Sequence, residues 1–446
     1  MPPLVPIFVT LAGIALLLLL VMRFKLQAFV ALLLVSLLVG LAIGMPLQQI
    51  LNSIRKGMGE TLGFVAVVVG LGAMLGRILE ISGGVERLAQ TLLAKFGEEK
   101  AQWALALTGF IVGIPIFFDV GFVILVPVVY GLSRKTERSL LYYGIPLLAG
   151  LAVTHSFVPP TPGPIAVAEI LKADLGAVIG FGILAGIPAA IAGGLLFANY
   201  IAKRIHVEVP EYFQTENAHV GKPLPSFGMV AGIIFVPLVL IVANTVSGTW
   251  LPATNVVRGI LTFIGHPFVA LLLATLLAGF LLGTRRGYTR EELQEIATKA
   301  LEPAGLIILV TGAGGVLKQV LIDSGVGEVL GKMMAASALP PIVLAFLIAA
   351  IIRIAQGSAT VAMITSAGLM APIITALSVK PVVLSLMVIA IAAGATILSH
   401  VNDSGFWLVN RYFGLSEKDT LRSWTIMETI IALAGFAVVF LISLFV

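Results

Sequence analysis

The motif THSFVPPTPGP at residues 154–164 determines the fold class more clearly than any other stretch of the sequence. It lies within the apolar run 139–170, and its four prolines among residues 159–164 prevent a continuous helix, because proline lacks an amide hydrogen and clashes with the preceding turn. A second apolar run, 381–410, contains the polar sequence SHVNDSGFW at residues 399–407. Both runs are therefore predicted to form discontinuous helices.

The composition places these runs in a membrane. Of 446 residues, 59% are hydrophobic and 11% are charged, and the mean hydropathy is +1.10. A soluble globular protein carries roughly 25% charged residues, so this chain lacks the polar surface of a soluble protein. Apolar runs near the length that crosses a bilayer as a helix recur throughout, whereas barrel strands are shorter and alternate. We predict an all-α polytopic membrane protein that is embedded in the lipid bilayer.

The charge and cysteine content exclude several classes of function. The net charge of +5 is assigned to lysine and arginine in cytoplasmic loops, so no nucleic acid partner is expected. The sequence contains no cysteine, which excludes disulfides and thiolate chemistry. Neither a P-loop nor the motifs of zinc proteases and serine esterases occur, so we predict no enzyme activity, no cofactor and no metal site.

About 12 membrane segments can be assigned along the chain. Two apolar stretches, 101–132 and 339–375, are too long for one helix and contain internal helix breakers, so each is predicted to be a hairpin. With the N-terminus outside, basic residues in cytoplasmic loops outnumber those in external loops about threefold. Arg55 and Lys56 are the weakest point of this topology, because they fall together in a short external loop.

The two halves of the chain resemble each other. Residues 70–92 and 312–334 share eight identical positions of 23 at a constant separation of 242 residues. The predicted topology makes the repeat inverted, with halves 1–202 and 227–446 joined by a proline-containing cytoplasmic linker, 203–226. Each half contains a hairpin and a broken helix.

Ionisable groups at membrane depth are costly and mark candidate sites. Asp119 is the only charged residue at the turn of the first hairpin and is a candidate proton carrier, unless backbone amides bind its carboxylate. In the second hairpin, Arg353 offers a planar fork for a carboxylate, and Gln356, Ser358 and Thr360 offer hydrogen bonds to hydroxyl groups. Arg353 could instead pair with an acidic residue or extend towards the membrane surface.

The broken helices supply the remaining candidates. Half-helix N-termini near Thr161 and Ser404 would direct partial positive charge at an anion. The other polar candidates at the breaks are His155, His400, Asn402 and Asp403. Aligning the two histidines also aligns Thr154 with Ser399. Alternatively, these polar groups only form hydrogen bonds with the backbone groups that are left unpaired where the helices break.

Several motifs together resemble the gluconate permease (GntP) family of bacterial proton symporters. They are TLGFVAVVVG at 61–70, TGAGGVLKQVLIDSG at 311–325, QGSATVAM at 356–363 and SHVNDSGFW at 399–407. The resemblance covers nearly the whole chain. It implies import of gluconate or a related sugar acid across the bacterial inner membrane, driven by protons, by a protein that is commonly a homodimer. The resemblance also implies that relatives carry other polar anions, namely D-serine and hexonates other than gluconate.

The resulting hypothesis is alternating access around a site at the membrane midplane. The predicted substrate-binding residues are Thr161, Arg353, Gln356, Ser358, Thr360, Asn402 and Ser404. The predicted proton-coupling residues are Asp119, His155, His400 and Asp403. Two alternatives remain open, an uncoupled facilitator for another small carboxylate and a sodium-coupled carrier in which Asn402 and Asp403 hold the ion.

Overall fold

The computed structural model describes residues 5–210, 223–325, 339–377 and 379–446, and these residues form helices and connecting segments without strands. The helices are α1 (Val5–Met22), α2 (Ala28–Ala42), α3 (Leu47–Ile81), α4 (Gly84–Phe96), α5 (Ala101–Val112), α6 (Phe118–Thr136), α7 (Leu140–Phe157), α8 (Pro162–Leu171), α9 (Leu175–Ile201), α10 (Phe227–Trp250), α11 (Val256–Ile264), α12 (Pro267–Arg286), α13 (Arg290–Asp323), α14 (Pro341–Gln356), α15 (Ala359–Leu377), α16 (Pro381–Gly394), α17 (Ser404–Phe413) and α18 (Glu417–Ser443). The all-α prediction is confirmed. Parts of the predicted linker and of the repeat, 211–222 and 326–334, lie outside the described residues.

Eight helical stretches in the described part of the chain are long and apolar enough to cross a membrane, and five shorter apolar helices accompany them. The longest are α3 and α13, with 35 and 34 residues. At about 1.5 Å per residue each exceeds the roughly 30 Å of a hydrocarbon core, so both extend beyond it.

This length corrects the prediction for Arg55 and Lys56, which are part of α3 and not of a loop. Both side chains are exposed, whereas Ser53 and Gly57 are buried on the opposite face of the same turns. An amphipathic helical extension accommodates the two charges without ending the helix.

The two long helices pack directly against each other. A methyl group added at Gly57 of α3 would lie 2.4 Å from the carbonyl oxygen of Gly315 in α13, so the two backbones touch. Small residues allow such close approach between membrane helices, where association depends on van der Waals packing.

Both long helices end with the same local geometry, 242 residues apart. The hydroxyls of Ser82 and Ser324 donate to the carbonyls three residues earlier, at 3.1 and 3.0 Å. Gly83 and Gly325 follow with φ of +74° and +75°, a conformation that glycine adopts at no steric cost. Helices α8 and α17 also begin and end 242 residues apart, and so do helices α9 and α18. These matches agree further with an internal repeat.

The two broken helices occupy the core. Helices α7 and α8 are almost entirely buried, and residues 158–161 separate them. Residues 395–403 separate α16 from α17. Both discontinuities were predicted, and so were the breaks between α5 and α6 and between α14 and α15. Helices α5 and α6 pack on α7, while α14 packs on α15 and α16.

Gly57→Ala tests the contact between the long helices. We expect a loss of about 1–3 kcal/mol, because the new methyl group would overlap the backbone of α13. The measurement is thermal unfolding of the purified protein in detergent. Gly63→Ala on the same helix is the control, since that methyl group meets nothing within 4 Å. Equal melting temperatures for the two variants would contradict the contact.

Candidate functional site

A cavity of about 580 Å³ lies where three helix N-termini meet. The first residues of α6, α15 and α17 line it, together with the ends of α7 and α14 and with residues of α13 and α18. Each helix N-terminus carries partial positive charge and unpaired amide hydrogens. Their convergence makes the cavity attractive for an anion.

A buried ion pair forms one wall of this cavity. Nη2 of Arg353, at the end of α14, lies 2.6 Å from Oδ2 of Asp403, and the two side chains are 3% and 13% exposed. Asp403 is also the N-cap of α17, since its Oδ1 accepts from the amide of Gly405 at 3.3 Å. One carboxylate therefore holds the guanidinium and starts the second half-helix.

Ser399 connects this ion pair to α18. Its hydroxyl donates to Asp403 and accepts from Nε1 of Trp424 at 2.7 Å. Its carbonyl accepts from the hydroxyl of Thr425. Side-chain hydrogen bonds thus connect the second break to α14 through Asp403 and to α18 through Ser399.

Most of the buried polar atoms that lack a hydrogen-bond partner belong to residues that line this cavity. Among the described residues these atoms are Nδ1 of His155, Nε and Nη1 of Arg353, Oγ1 of Thr365 and Oε1 of Glu428. All except the Thr365 atom belong to cavity-lining residues. Buried polar groups are otherwise nearly always paired, so the unpaired atoms at this cavity mark it as a candidate binding site.

Nine of the eleven predicted site residues line the cavity. They are Asp119, His155, Arg353, Gln356, Ser358, Thr360, Asn402, Asp403 and Ser404. Asp119 is the exposed acidic residue among them. Gly357, with φ of +88°, brings the turn of the second hairpin against the carbonyl of Asn402, where an added methyl group would come within 2.2 Å.

Thr161 and His400 do not line the cavity. The buried hydroxyl of Thr161 donates to the carbonyl of Val158 at 2.8 Å, so it satisfies the interrupted backbone. Nε2 of His400 lies 3.0 Å from the carbonyl of Ile354, which also accepts from the side chain of Asn402. The N-termini that accompany Ser404 at the cavity belong to α6 and α15 and not to α8.

The proposed alignment of the two histidines also differs from the structure. His155 lies in the last turn of α7, whereas His400 follows the end of α16. The first half-helix of the N-terminal half has 18 residues and its counterpart has 14, so His155 lies before its break whereas His400 lies within the other break.

Sequence reasoning missed Glu428 and Trp424, which both line the cavity. Glu428 is 4% exposed and is the only ionisable side chain among residues 424–446. The rule that singled out Asp119, an isolated charge within an apolar run, applies equally to Glu428. The residue was overlooked because no helix breaker marks its segment.

The arrangement suits a polar organic anion. Arg353 and the helix N-termini supply positive charge, and amide and hydroxyl side chains surround them. No group of three or more His, Asp or Glu side chains that could hold a metal ion occurs within the described ranges.

Comparison with known proteins identifies the family. The model of the GntP family permeases matches residues 5–445. The chain belongs to the GntP permease family. The high-affinity gluconate transporter of Escherichia coli K12 is 41% identical over 430 residues, covering 96% of this chain and 97% of the relative. The Gnt-II system L-idonate transporter of the same organism is 42% identical with the same coverage.

The fold has a more distant structural relative. The crystal structure of the Alcanivorax borkumensis YdaH transporter matches with a TM-score of 0.69 and 15% identity, covering 92% of this chain and 96% of that one. As a GntP family member the chain is a transporter and not an enzyme, and it is a multi-pass protein of the bacterial inner membrane.

Asp403→Ala tests the ion pair. It leaves the buried guanidinium of Arg353 without its counter-ion, for which we expect a loss of about 3–5 kcal/mol, with about 1 kcal/mol more for the lost N-cap. Asp174→Ala is the matched control, because Asp174 caps α9 but is exposed and does not bind an arginine. Thermal unfolding should separate the two variants clearly, and equal losses would mean that the pair contributes nothing beyond the cap.

Proposed function

We propose that the chain imports gluconate or a related sugar acid by proton symport, with alternating access around the described cavity. The observation that carries the proposal is the buried guanidinium of Arg353, which keeps Nε and Nη1 unpaired at a cavity lined by polar side chains. Relatives named for gluconate and for L-idonate support a sugar acid as the substrate.

The carboxylate of the substrate would bind at Arg353. Asp403 binds Nη2 of the guanidinium while Nε and Nη1 have no partner, so a second carboxylate would accept from one of these two nitrogens and from the other hydrogen of Nη2. Such charge-assisted bonds are short, directional and roughly twice as strong as neutral ones. The N-termini of α15 and α17 add partial positive charge at the same wall.

The hydroxyl groups of a sugar acid would bind the remaining polar side chains. Gln356, Ser358, Thr360, Asn402 and Ser404 line the same cavity. Its volume of about 580 Å³ lies within the range of roughly 300–1,000 Å³ that is usual for small-molecule pockets.

The charge balance of the cavity favours coupling to protons. Arg353 is the only permanently charged cation among the lining residues, which also include the carboxyl groups of Asp119, Asp403 and Glu428. An anionic substrate adds a further negative charge, and like charges in a partly desolvated site repel strongly. Uptake of a proton would offset the added charge. Of the residues that the sequence predicts as proton carriers, Asp119 and His155 line the cavity and do not pair with Arg353.

Alternating access would come from rocking of the units that carry the hairpins and broken helices, α5–α8 and α14–α17, against the remaining helices. Inverted repeats commonly provide such paired conformations. A homodimer, which the family resemblance implies, remains a prediction.

The direct test is uptake of labelled gluconate by purified protein in liposomes, with a pH gradient and a sodium gradient imposed separately. We expect accumulation when the outside is acidic and sodium is absent. Accumulation with sodium alone would contradict proton coupling and make Asn402 and Asp403 candidate ion ligands. Equilibration without accumulation under both gradients would indicate a facilitator, and absence of uptake would exclude gluconate as the substrate.

Arg353→Lys tests the binding of the carboxylate. A lysine retains the charge but not the planar fork, so we expect the affinity for gluconate to fall about 10- to 100-fold, equivalent to roughly 1.5–3 kcal/mol. The measurement is equilibrium binding to the purified protein. Arg77→Lys is the control, because Arg77 is half-exposed and pairs with Glu80 at 2.5 Å away from the cavity. Unchanged affinity in Arg353→Lys would restrict Arg353 to a structural role.

A further inference from the structure

Glu428 is a buried carboxyl group in the described cavity. It lies on α18, is 4% exposed and leaves Oε1 without a hydrogen-bond partner. Burying a carboxylate without a partner is far more costly than burying a neutral carboxyl group. Neither the family motifs nor the hydrogen bonds that hold the second break involve this residue.

We propose that Glu428 is the proton-binding site that couples proton movement to substrate binding. This inference rests on the proposed function, since it assigns one step of proton symport to one residue. Glu428 takes a proton from one side of the membrane when the anion binds, and releases it on the other side after the anion has left.

The neighbours of Glu428 leave Arg353 as its main source of positive charge. Helix α18 packs against α7, α9, α14, α16 and α17. The charged or titratable groups that α7 and α14 direct at the cavity are His155 and Arg353. Helices α9 and α16 carry no charged residue, and Arg411 of α17 does not line the cavity. Across the cavity lie the carboxyl groups of Asp119 and Asp403.

One guanidinium cannot neutralise three carboxylates. Asp403 binds Nη2 of Arg353, and the substrate carboxylate would bind one of the two unpaired nitrogens, Nε or Nη1. Glu428 then lacks a counter-charge and is stable only in its neutral form. When the substrate leaves, the guanidinium again attracts the carboxylate of Glu428, which can lose its proton. Proton and anion therefore enter and leave the site together.

Asp119 has a different environment. Its side chain is exposed, whereas that of Glu428 is buried. A carrier needs a group whose charge depends on the occupancy of the site. The buried position of Glu428 meets this requirement better.

The first experiment measures protons taken up on binding. Titration calorimetry of gluconate into the purified protein, in two buffers of different ionisation enthalpy, gives this number directly. For the wild type we expect proton uptake that rises with pH and approaches one proton per gluconate at alkaline pH, where Glu428 of the empty protein is ionised. For Glu428→Gln, which should still bind gluconate, we expect close to none at any pH. Glu417→Gln, an exposed position at the start of α18, is the matched control and should match the wild type.

The outcomes distinguish the two proposals. A wild type that does not bind gluconate overturns the proposed function and this inference together. Wild-type binding with proton uptake that persists in Glu428→Gln overturns the inference alone.

The second experiment measures coupled transport in liposomes. For one proton per anion, a gradient of one pH unit drives about tenfold accumulation. We expect Glu428→Gln to lose this accumulation while it continues to exchange labelled for unlabelled gluconate. Asp119→Asn is measured in parallel. Loss of accumulation in Asp119→Asn, together with full accumulation in Glu428→Gln, would assign the proton to Asp119 and overturn the proposal.

A measurement on the wild type covers the case in which Glu428→Gln does not fold. Dicyclohexylcarbodiimide reacts with protonated carboxyl groups in apolar surroundings, and mass spectrometry locates the modified residue. We expect modification at Glu428, increased by gluconate. Modification at Asp119 with none at Glu428 would overturn the proposal.

Discussion

The ion pair between Arg353 and Asp403 is the interaction on which the site depends. A guanidinium that is 3% exposed costs several kcal/mol to desolvate and requires a charged partner. Because the partner is also the N-cap of α17, the charge fixes the end of α14 to the start of the second half-helix. Ser399 extends the connection to Trp424 and Thr425 of α18. One buried charge thus aligns three elements around the cavity.

Backbone that leaves a helix inside a membrane must find hydrogen-bond partners, and this requirement divides the polar residues at the breaks into two groups. Thr161 and His400 form hydrogen bonds with carbonyls near the ends of α7 and α14, so their role is structural. Asn402 does both, because its side chain donates to Ile354 at 2.9 Å while the residue lines the cavity. Polarity within a break is therefore not sufficient to identify a ligand.

The sequence could predict what depends on composition and on helix breakers. Four prolines locate the first break, and isolated charges locate Asp119 and Arg353. It could not predict that Arg55 and Lys56 continue α3, because α3 packs there on α13, a contact between residues far apart in the sequence. It also could not tell Thr161 from Ser404 as a cavity residue. That distinction depends on which half-helix points its N-terminus at the cavity, a property of tertiary packing.

The two halves provide equivalent backbones but unequal chemistry. At a separation of 242 residues, Thr161 corresponds to Asp403, and both are N-caps of ten-residue half-helices. The hydroxyl of Thr161 donates to the nearby carbonyl of Val158, whereas the carboxylate of Asp403 binds Arg353. At the same separation, the residue that corresponds to Arg353 is Ile111. The buried ion pair consequently exists in one half only. In the proposed mechanism, a repeated scaffold would support two related conformations, and a single charged wall would give a bound anion one preferred orientation in both.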